Sequence, residues 1–343
     1  MASMIDHLQY QIAQGLRVAW FGAHYRFGAG LQRAAGNGSA VTGIPGPPVK
    51  TLRNAMKNLF AEDWRNIAEG VYAMPHDVVS SPAVALRRSR AFFKDVPRVA
   101  ARRKTGNGVE VRAQPRSELY PPYYLQNFHY QTDGYLSEES AALYDFQVEA
   151  LFTGAADAMR RQALVPLGDY VKARDQRLLS LLDIACGTGR FLSFVKDNYP
   201  RLPVVGLDLS PAYLEEARRL LAPWRSADFV RANAESLPFD DAAQDIVTSV
   251  FLFHELPPKV RRTVIGEMAR VLKPGGLLVI VDSLQFGDIP DFDGLLELFP
   301  QRFHEPFYLS YARENIATLL NEHGLAVQAI RPAYLAKIWV AKK

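Results

Sequence analysis

The sequence predicts an α/β protein with a doubly wound, mostly parallel sheet of seven strands and an N-terminal helical accessory region. From about residue 177, short apolar runs alternate with helical patterns; the runs are LLSLLDIA, VVGLDL, DFVRA, DIVTSVF, LLVIVDS, VQAI and KIWVA. Such runs are typical of strands that helices bury on both faces. Only a few residues around Pro332 separate the last two runs, so we expect the final strand, about 335–342, to run antiparallel.

Length and composition fit one catalytic domain with an accessory region. The chain has 343 residues, of which 48% are hydrophobic and 22% charged, as in ordinary globular proteins. Cys186 is the single cysteine, which excludes an intramolecular disulfide and a multi-cysteine zinc site. We therefore predict no bound metal. We also predict a cytoplasmic protein, because no apolar run spans a bilayer and the N-terminus lacks a signal pattern.

Charge is distributed unevenly along the chain. Residues 1–112 contain 16 Lys and Arg against 7 Asp and Glu, although the whole chain carries a net charge of only +4. The basic residues include two clusters: Arg87, Arg88 and Arg90, and Arg102, Arg103 and Lys104. These clusters could bind an anionic lipid surface or nucleic acid, or could form a solvated helix face.

The N-terminal residues 1–35 predict an amphipathic helix. Apolar residues recur at spacings of three and four from Ile5 to Phe27. Two interpretations stay open for residues 4–34: peripheral contact with a membrane, with Trp20 and Phe21 as anchors, or packing on the protein.

Further boundaries follow from composition. Residues 36–50, GNGSAVTGIPGPPVK, predict a linker, so the first helix is expected to be mobile. Residues 51–137 predict a cap region of helices, at about 51–73 and 83–104, and loops. Ser137, followed by two glutamates, marks a helix start, and we assign 138–343 to the main domain.

The loop after the first predicted strand reads DIACGTGR, residues 183–190. Glycines at the carboxyl edge of a strand allow close approach of a ligand, and the following helix offers unpaired N–H groups. A dinucleotide loop needs a third glycine at the position of Leu192, so this loop suits a ligand without a diphosphate. The alternative is a tight turn with no ligand.

Two further motifs follow the next two strands. Asp208 ends the second strand, about 20 residues beyond the glycines, where an acid can accept both ribose hydroxyls of a nucleoside. After the third strand, Asn233, Ala234 and Glu235 precede the sequence LPF, and an amide there could contact an adenine edge. The alternative for Asp208 is a structural role, as an acid near the start of the next helix that binds no ligand.

In order and spacing, five segments resemble the class I S-adenosylmethionine-dependent methyltransferases, most closely the ubiquinone and menaquinone group and related small-molecule enzymes. They are LLDIACGTGR, VVGLDLSPAYLEEAR, NAESLPF, DIVTSVFLFHEL and RVLKPGGLLVIVD. The resemblance implies S-adenosyl-L-methionine as cofactor. It implies that Asp183, Gly187 and Gly189 shape the methionine pocket, that Asp208 holds the ribose, and that Asn233 and Ala234 border adenine. We add four neighbouring residues to the cofactor pocket: Ala185, Thr188, Leu209 and Phe251.

The acceptor side is predicted from position. Methyl transfer is an in-line displacement, so the protein mainly aligns the acceptor and excludes water. His254, after the fourth strand, is a candidate general base, or it caps the strand and orients Glu255, a second catalytic candidate. Segment 284–310 is predicted to be an acceptor loop.

We expect the aromatic stretch 123–135 and this loop to meet above the cofactor. The further catalytic candidates are His129 and His304, and the candidate substrate-binding residues are Tyr123, Tyr124, Tyr130 and Tyr308. The alternative is ordinary packing of a helical cap.

The leading interpretation is S-adenosylmethionine-dependent methyl transfer to a small molecule. The alternatives are methylation of a membrane-associated quinone or lipid precursor, and a non-catalytic S-adenosylmethionine-binding protein. Nucleic acid is disfavoured as a partner because the chain has no Asn-Pro-Pro-Tyr or Pro-Cys signature. The oligomeric state is left open.

Overall fold

A single mixed sheet forms the centre of the C-terminal half. The structure is a computed structural model that describes residues 3–34, 46–76, 82–115 and 117–343. The strands are β1 (Leu181–Ile184), β2 (Val204–Asp208), β3 (Ala227–Arg231), β4 (Gln244–Val250), β5 (Leu272–Ser283), β6 (Ala326–Ala333) and β7 (Ala336–Lys342). Their order is β3-β2-β1-β4-β5-β7-β6. Strands β1 to β5 run parallel, and β7 pairs antiparallel with both β5 and β6, which confirms the predicted antiparallel last strand.

Helices precede and flank the sheet. The accessory region contains α1 (Met4–Ala34), α2 (Val49–Ala68) and α3 (Pro82–Thr105). The helices that follow are α4 (Glu138–Leu151), α5 (Ala156–Arg161), α6 (Leu164–Val171), α7 (Arg190–Asn198), α8 (Pro211–Leu221), α9 (Pro258–Val271), α10 (Asp293–Arg302), α11 (Tyr308–Arg313) and α12 (Ile316–Glu322).

Two hydrophobic cores lie on opposite faces of the sheet. Consecutive strand residues alternate between them: Leu181 packs in one core and Leu182 in the other, and Val279 and Ile280 divide in the same way. This alternation follows from the pleat of a strand. It explains why the strands read as continuous apolar runs, because helices cover both faces.

Two predicted segments differ from the structure. The helix expected over 51–73 ends at Ala68 because Gly70 adopts a left-handed conformation (φ 70°), and the amide of Val71 then bonds the carbonyl of Asn66 at 2.8 Å. Segment 284–310, predicted to be a loop, contains helix α10. The predicted helix start at Ser137 is present, since its hydroxyl accepts a hydrogen bond from the amide of Ser140 at 3.1 Å.

Helix α1 is packed on the body of the protein, which corrects the expectation of a mobile helix. Arg17 donates to the buried carboxylates of Asp157 and Glu149, the latter at 2.7 Å. Asp157 also accepts from Arg160 of α5 at 2.9 Å and from Arg190, the first residue of α7. Burial opposes ionisation, but the arginines outweigh it and hold the pKa of Asp157 well below its ordinary value.

A second buried carboxylate fixes the first half of α1 to α2. Asp63 accepts from the hydroxyls of Tyr10 and Tyr72 at 2.6 and 2.7 Å, and from Arg161 through both carboxyl oxygens. The side chain of Asp63 is wholly buried. Each of its oxygens therefore finds donors inside the protein, as a buried charge requires.

Two other predictions concern the N-terminal region. Most of the predicted linker falls at residues 35–45, outside the residues that the structure describes. Within the described ranges, no helix combines the length and the apolar character needed to cross a membrane.

Replacing Asp157 with Asn should destabilise the protein strongly. The substitution leaves three arginines around a neutral side chain, and loss of one partner from a buried ion pair costs about 3–5 kcal/mol. The measurement is the free energy of unfolding from urea denaturation. Asp241→Asn is the control, because Asp241 pairs with Arg270 at the surface and should change little. Equal, small effects of the two substitutions would contradict the role given to Asp157.

Candidate active site

The site begins where β1 and β2 end. The amide of Gly187 donates to Asp208 Oδ2 at 2.9 Å, and the amide of Ser210 donates to Asp208 Oδ1 at 2.8 Å. Burial raises the pKa of this carboxyl, while the backbone donors act against that rise. Asp208 thus ties the glycine loop to the turn after β2.

The loop after β1 needs its glycines. Gly187 and Gly189 have φ values of 56° and 74°, where side chains are disfavoured. A Cβ on Gly189 would lie 2.7 Å from Leu221 Cδ1 of α8. Ala185 and Phe251, the first residues after β1 and β4, also adopt left-handed conformations, with φ values of 59° and 61°. Such strained residues concentrate at functional sites.

A first cavity opens above these strand ends, with a volume of about 760 Å³ including its mouth. Its lining joins the glycine loop, the turn after β2, the turn after β3 and the aromatic stretch. The lining residues include Tyr123, Tyr124, Tyr135, Tyr144, Ala185, Gly187, Asp208, Leu209, Tyr213, Asn233, Ala234, Phe251 and Glu255.

Tyr123 closes the β3 side of the first cavity. Its hydroxyl donates to Glu235 Oε1 at 2.7 Å and lies 3.4 Å from Asn233 Oδ1. Burial and the bond to Glu235 raise the pKa of Tyr123, so the hydroxyl keeps its proton. The aromatic stretch is thereby tied to the turn after β3.

A second cavity of about 940 Å³, also with its mouth, adjoins the first. Tyr144, Phe251 and Glu255 line both cavities. The rest of its wall is mostly apolar and comes from α1, α4, α10 and the turn after β4. It includes Tyr25, His129, Leu151, Phe152, His254, Leu295, Leu296, Leu298, Phe299, Arg302, Phe303, Tyr308 and Leu335.

His254 and Asp282 form a buried ion pair at the wall of the second cavity. His254 Nδ1 lies 2.6 Å from Asp282 Oδ1, and the other oxygen of Asp282 accepts from the amide of Phe253 at 2.6 Å. Burial alone would lower the pKa of His254, but the charge of Asp282 outweighs it and raises that pKa to about 10. His254 is therefore a cation at neutral pH.

Glu255 lies between the two cavities. The hydroxyl of Tyr135 donates to Glu255 Oε1, and His254 Nε2 is 4.0 Å from the same oxygen. Burial raises the pKa of Glu255 to about 7, although His254 and Tyr135 oppose the rise. Groups with a pKa near the working pH are suited to proton transfer.

His129, in the wall of the second cavity, forms a second pair of an imidazole and an acid with Glu305. His129 Nε2 lies 3.3 Å from Glu305 Oε1. Burial lowers the pKa of His129 to about 3 and raises the pKa of Glu305 well above its ordinary value. Both shifts favour the uncharged forms, so this pair adds no net charge to the site.

Comparison with known proteins agrees with the motifs and the strand order. A family model described as a methyltransferase domain matches residues 181–276. The demethylmenaquinone methyltransferase of Thermus thermophilus is 37% identical over 145 residues, 42% of this chain and 62% of that protein. The ubiquinone/menaquinone biosynthesis C-methyltransferase of Desulfotalea psychrophila is 33% identical over 143 residues, 42% of this chain and 54% of that protein.

This chain contains a class I methyltransferase domain. It spans about half to two thirds of the length of the curated relatives it matches. The solved structure of human N-acetylserotonin methyltransferase in complex with SAM aligns with a TM-score of 0.50 and 14% identity. That alignment covers 75% of this chain and 69% of the human protein, and it shows a shared fold.

The methyltransferase domain places seven of the residues predicted for the cofactor on the first cavity: Ala185, Gly187, Asp208, Leu209, Asn233, Ala234 and Phe251. Asp183 and Thr188 lie behind it. Asp183 is buried and accepts from Thr248 at 2.7 Å, with its pKa raised by burial to about 7; Thr188 donates to Asp145 at 2.9 Å. Gly189 packs on α8. Asp183, Thr188 and Gly189 thus support the loop on the side away from the cavity.

The predicted acceptor residues divide into three places. Tyr308 and His129 line the second cavity. Tyr123 and Tyr124 instead line the first cavity, because the chain from 121 to 126 turns across the end of β3. Their predicted role in binding the acceptor stays a prediction.

His304 and Tyr130 do not line either of these two cavities, and their acceptor roles likewise stay predictions. His304 Nε2 bonds the side-chain oxygen of Gln126 at 2.8 Å, and its ring fills the space where Gly108 lacks a Cβ. The ring of Tyr130 packs against His304 and under Arg103. The aromatic stretch and segment 284–310 do meet, and these two side chains hold them together.

Sequence reasoning missed several functional residues. Asp282 was open to prediction, since it is an acid at the end of a buried strand. The sequence did not indicate that Tyr25, Tyr144 and the residues of α10 line a cavity. Their apolar pattern is the same as that of any packed helix.

The pKa of His254 offers a direct test of the ion pair. We expect its imidazole to titrate near pH 10 in nuclear magnetic resonance spectra of the wild-type protein. Asp282→Asn should move that pKa towards or below the ordinary value of about 6.5, because burial then dominates. Asp291→Asn, an exposed acid of the same region, is the control. Titration of wild-type His254 near pH 6.5 would contradict the ion pair.

Proposed function

We propose that this protein transfers a methyl group from S-adenosyl-L-methionine to a small-molecule acceptor. The observation that carries the proposal is the pair of adjoining cavities that share Tyr144, Phe251 and Glu255. One cavity is bordered by the sequence motifs typical of the cofactor, and the lining of the other is mostly apolar. In-line transfer needs the methyl carbon and the acceptor atom in direct contact, which two cavities that meet beside the same residues would allow.

The first cavity has the polar groups that the cofactor needs. Each oxygen of Asp208 uses one acceptor position on a backbone amide, which leaves a second position for a ribose hydroxyl. Asn233 and Ala234 border the cavity where adenine would lie, and Gly187 and Phe251 border the opposite end.

When bound, the cofactor supplies an electrophilic methyl group on a sulfonium. In this proposal Glu255 accepts the proton that the acceptor hydroxyl loses, since its pKa of about 7 makes it half-ionised at neutral pH. The cationic His254 stabilises the negative charge that develops on the acceptor oxygen, and Asp282 holds its ring in place. His254 thus acts as a cation, which replaces the role of general base considered from the sequence.

The second cavity favours an acceptor with a flat, apolar body. Its wall is built from Phe152, Phe251, Phe299 and Phe303 and from leucines of α10, with His254, Glu255 and Arg302 as polar groups. A hydroxylated aromatic molecule matches this lining. A membrane-associated quinone precursor is the second candidate, favoured by the apolar lining and by relatives named as demethylmenaquinone methyltransferases.

Asp208→Ala should weaken S-adenosylmethionine binding by tens of fold. Two hydrogen bonds to a charged group are lost, each worth about 1.5–3 kcal/mol and partly replaced by water. Calorimetric titration measures the affinity, and Asp228→Ala, an exposed acid on the neighbouring strand, is the control. An unchanged affinity of the Asp208 variant would refute the proposed cofactor site.

Glu255→Gln should remove the acid limb of the pH profile. With a short-chain demethylmenaquinol as the probe, wild-type turnover should rise through pH 7 as Glu255 ionises and fall towards pH 10 as His254 loses its charge. The Gln variant cannot accept the proton, so its rate should be low and independent of pH near 7. Glu297→Gln, exposed on α10, is the control.

Two results would count against this proposal. A Gln variant with the wild-type profile would exclude Glu255 as proton acceptor. Tight S-adenosylmethionine binding without methylation of any hydroxylated aromatic tested would favour a non-catalytic binding protein.

A further inference from the structure

One side of α1 exposes a row of large apolar side chains, which we call the apolar stripe. Residues spaced by three, four or seven positions are exposed along it: Ile5, Leu8, Ile12, Leu16, Trp20, Phe27 and Leu31. Leu16 and Phe27 each keep 67% of their surface exposed. At about 1.5 Å per residue the stripe from Ile5 to Leu31 extends roughly 40 Å. Monomeric soluble proteins rarely expose a contiguous apolar surface of this length.

Other side chains of α1 are fixed to the protein, so the stripe cannot turn inward. Tyr10 bonds Asp63 at 2.6 Å, Arg17 bonds Glu149 at 2.7 Å, and His24 Nε2 lies 2.7 Å from Ser89 Oγ of α3. Rotation of the helix would break all of these buried contacts. The apolar stripe is therefore a permanent outer surface.

Basic side chains are exposed on the two helices that pack beside α1. Helix α3 packs beside α1, and four exposed cations recur along it at spacings of three or four: Arg87, Arg90, Lys94 and Arg98. Helix α2 adds exposed Lys50, Arg53 and Lys57. Asp95 of α3 is half-buried and already accepts a hydrogen bond from Gln147 at 3.2 Å.

The charge distinguishes between the possible occupants of this surface. Two copies of the chain that met through their stripes would bring their basic helices together, and like charges would oppose the contact. An anionic bilayer offers acyl chains to the stripe and negative headgroups to the arginines and lysines. We propose that α1 lies in the plane of an anionic lipid surface with its apolar stripe inserted.

Helix α1 also reaches the second cavity, through a residue outside the stripe. Tyr25 is 39% exposed and lines that cavity. Docking of α1 therefore brings the wall of this cavity close to the lipid surface. Any use of this proximity by a lipid-soluble acceptor rests on the proposed function, whereas the lipid docking itself does not.

Sedimentation with lipid vesicles tests the docking. The full-length protein, without cofactor, is mixed with vesicles of phosphatidylcholine alone or with 30% phosphatidylglycerol. We expect binding to the anionic vesicles that weakens with salt. Ile12→Glu/Leu16→Glu should lower the partition coefficient at least about tenfold, because two inserted side chains become charged. Arg87→Glu/Arg90→Glu should lower it on anionic vesicles only.

Leu178→Glu is the matched control, because Leu178 is 79% exposed outside the stripe. Circular dichroism confirms that each variant is folded. Wild-type protein that stays in the supernatant, or a stripe variant that binds as the wild type does, would overturn the proposal. So would a dimer in light scattering that the stripe variant dissociates, since a second copy would then cover the stripe. Calorimetric titration of the same samples with S-adenosylmethionine reports on the proposed function separately.

Discussion

The buried carboxylate of Asp157 connects the accessory region to the cofactor loop. It accepts from Arg17 of α1, Arg160 of α5 and Arg190, the residue that follows the glycine loop. A buried carboxylate without partners would strongly destabilise the folded protein, so all three arginines must be in place together. The position of α1 and the start of α7 are therefore set by one group. The N-terminal helix is an integral part of the fold.

The same reasoning applies to the charges at the site. His254 faces Asp282 directly, with Glu255 4.0 Å away and Glu305 acting from further off. One cation cannot neutralise three buried acids, so burial keeps Glu305 uncharged and brings the pKa of Glu255 to about 7. The proton affinity of Glu255 is thus a property of the whole cluster, and changes at any member should shift it.

Local patterns predicted the sheet and the first cavity well. The seven strands, the glycine loop and Asp208 depend on residues close together in sequence, whose apolar runs and turns have few alternatives. The contacts of Tyr123 with Asn233 and of Arg17 with Asp157 join residues more than 100 positions apart. No periodicity reports such pairs, so these contacts and the bond of His304 to Gln126 were not predicted.

The central claim is that the two cavities serve one reaction, with donor and acceptor in contact beside the shared wall of Tyr144, Phe251 and Glu255. A crystal structure with S-adenosylhomocysteine tests it most directly. The account predicts the ribose on Asp208 and the sulfur at the shared wall, facing the second cavity. Ribose away from Asp208, or a sulfur pointing away from that wall, would contradict it.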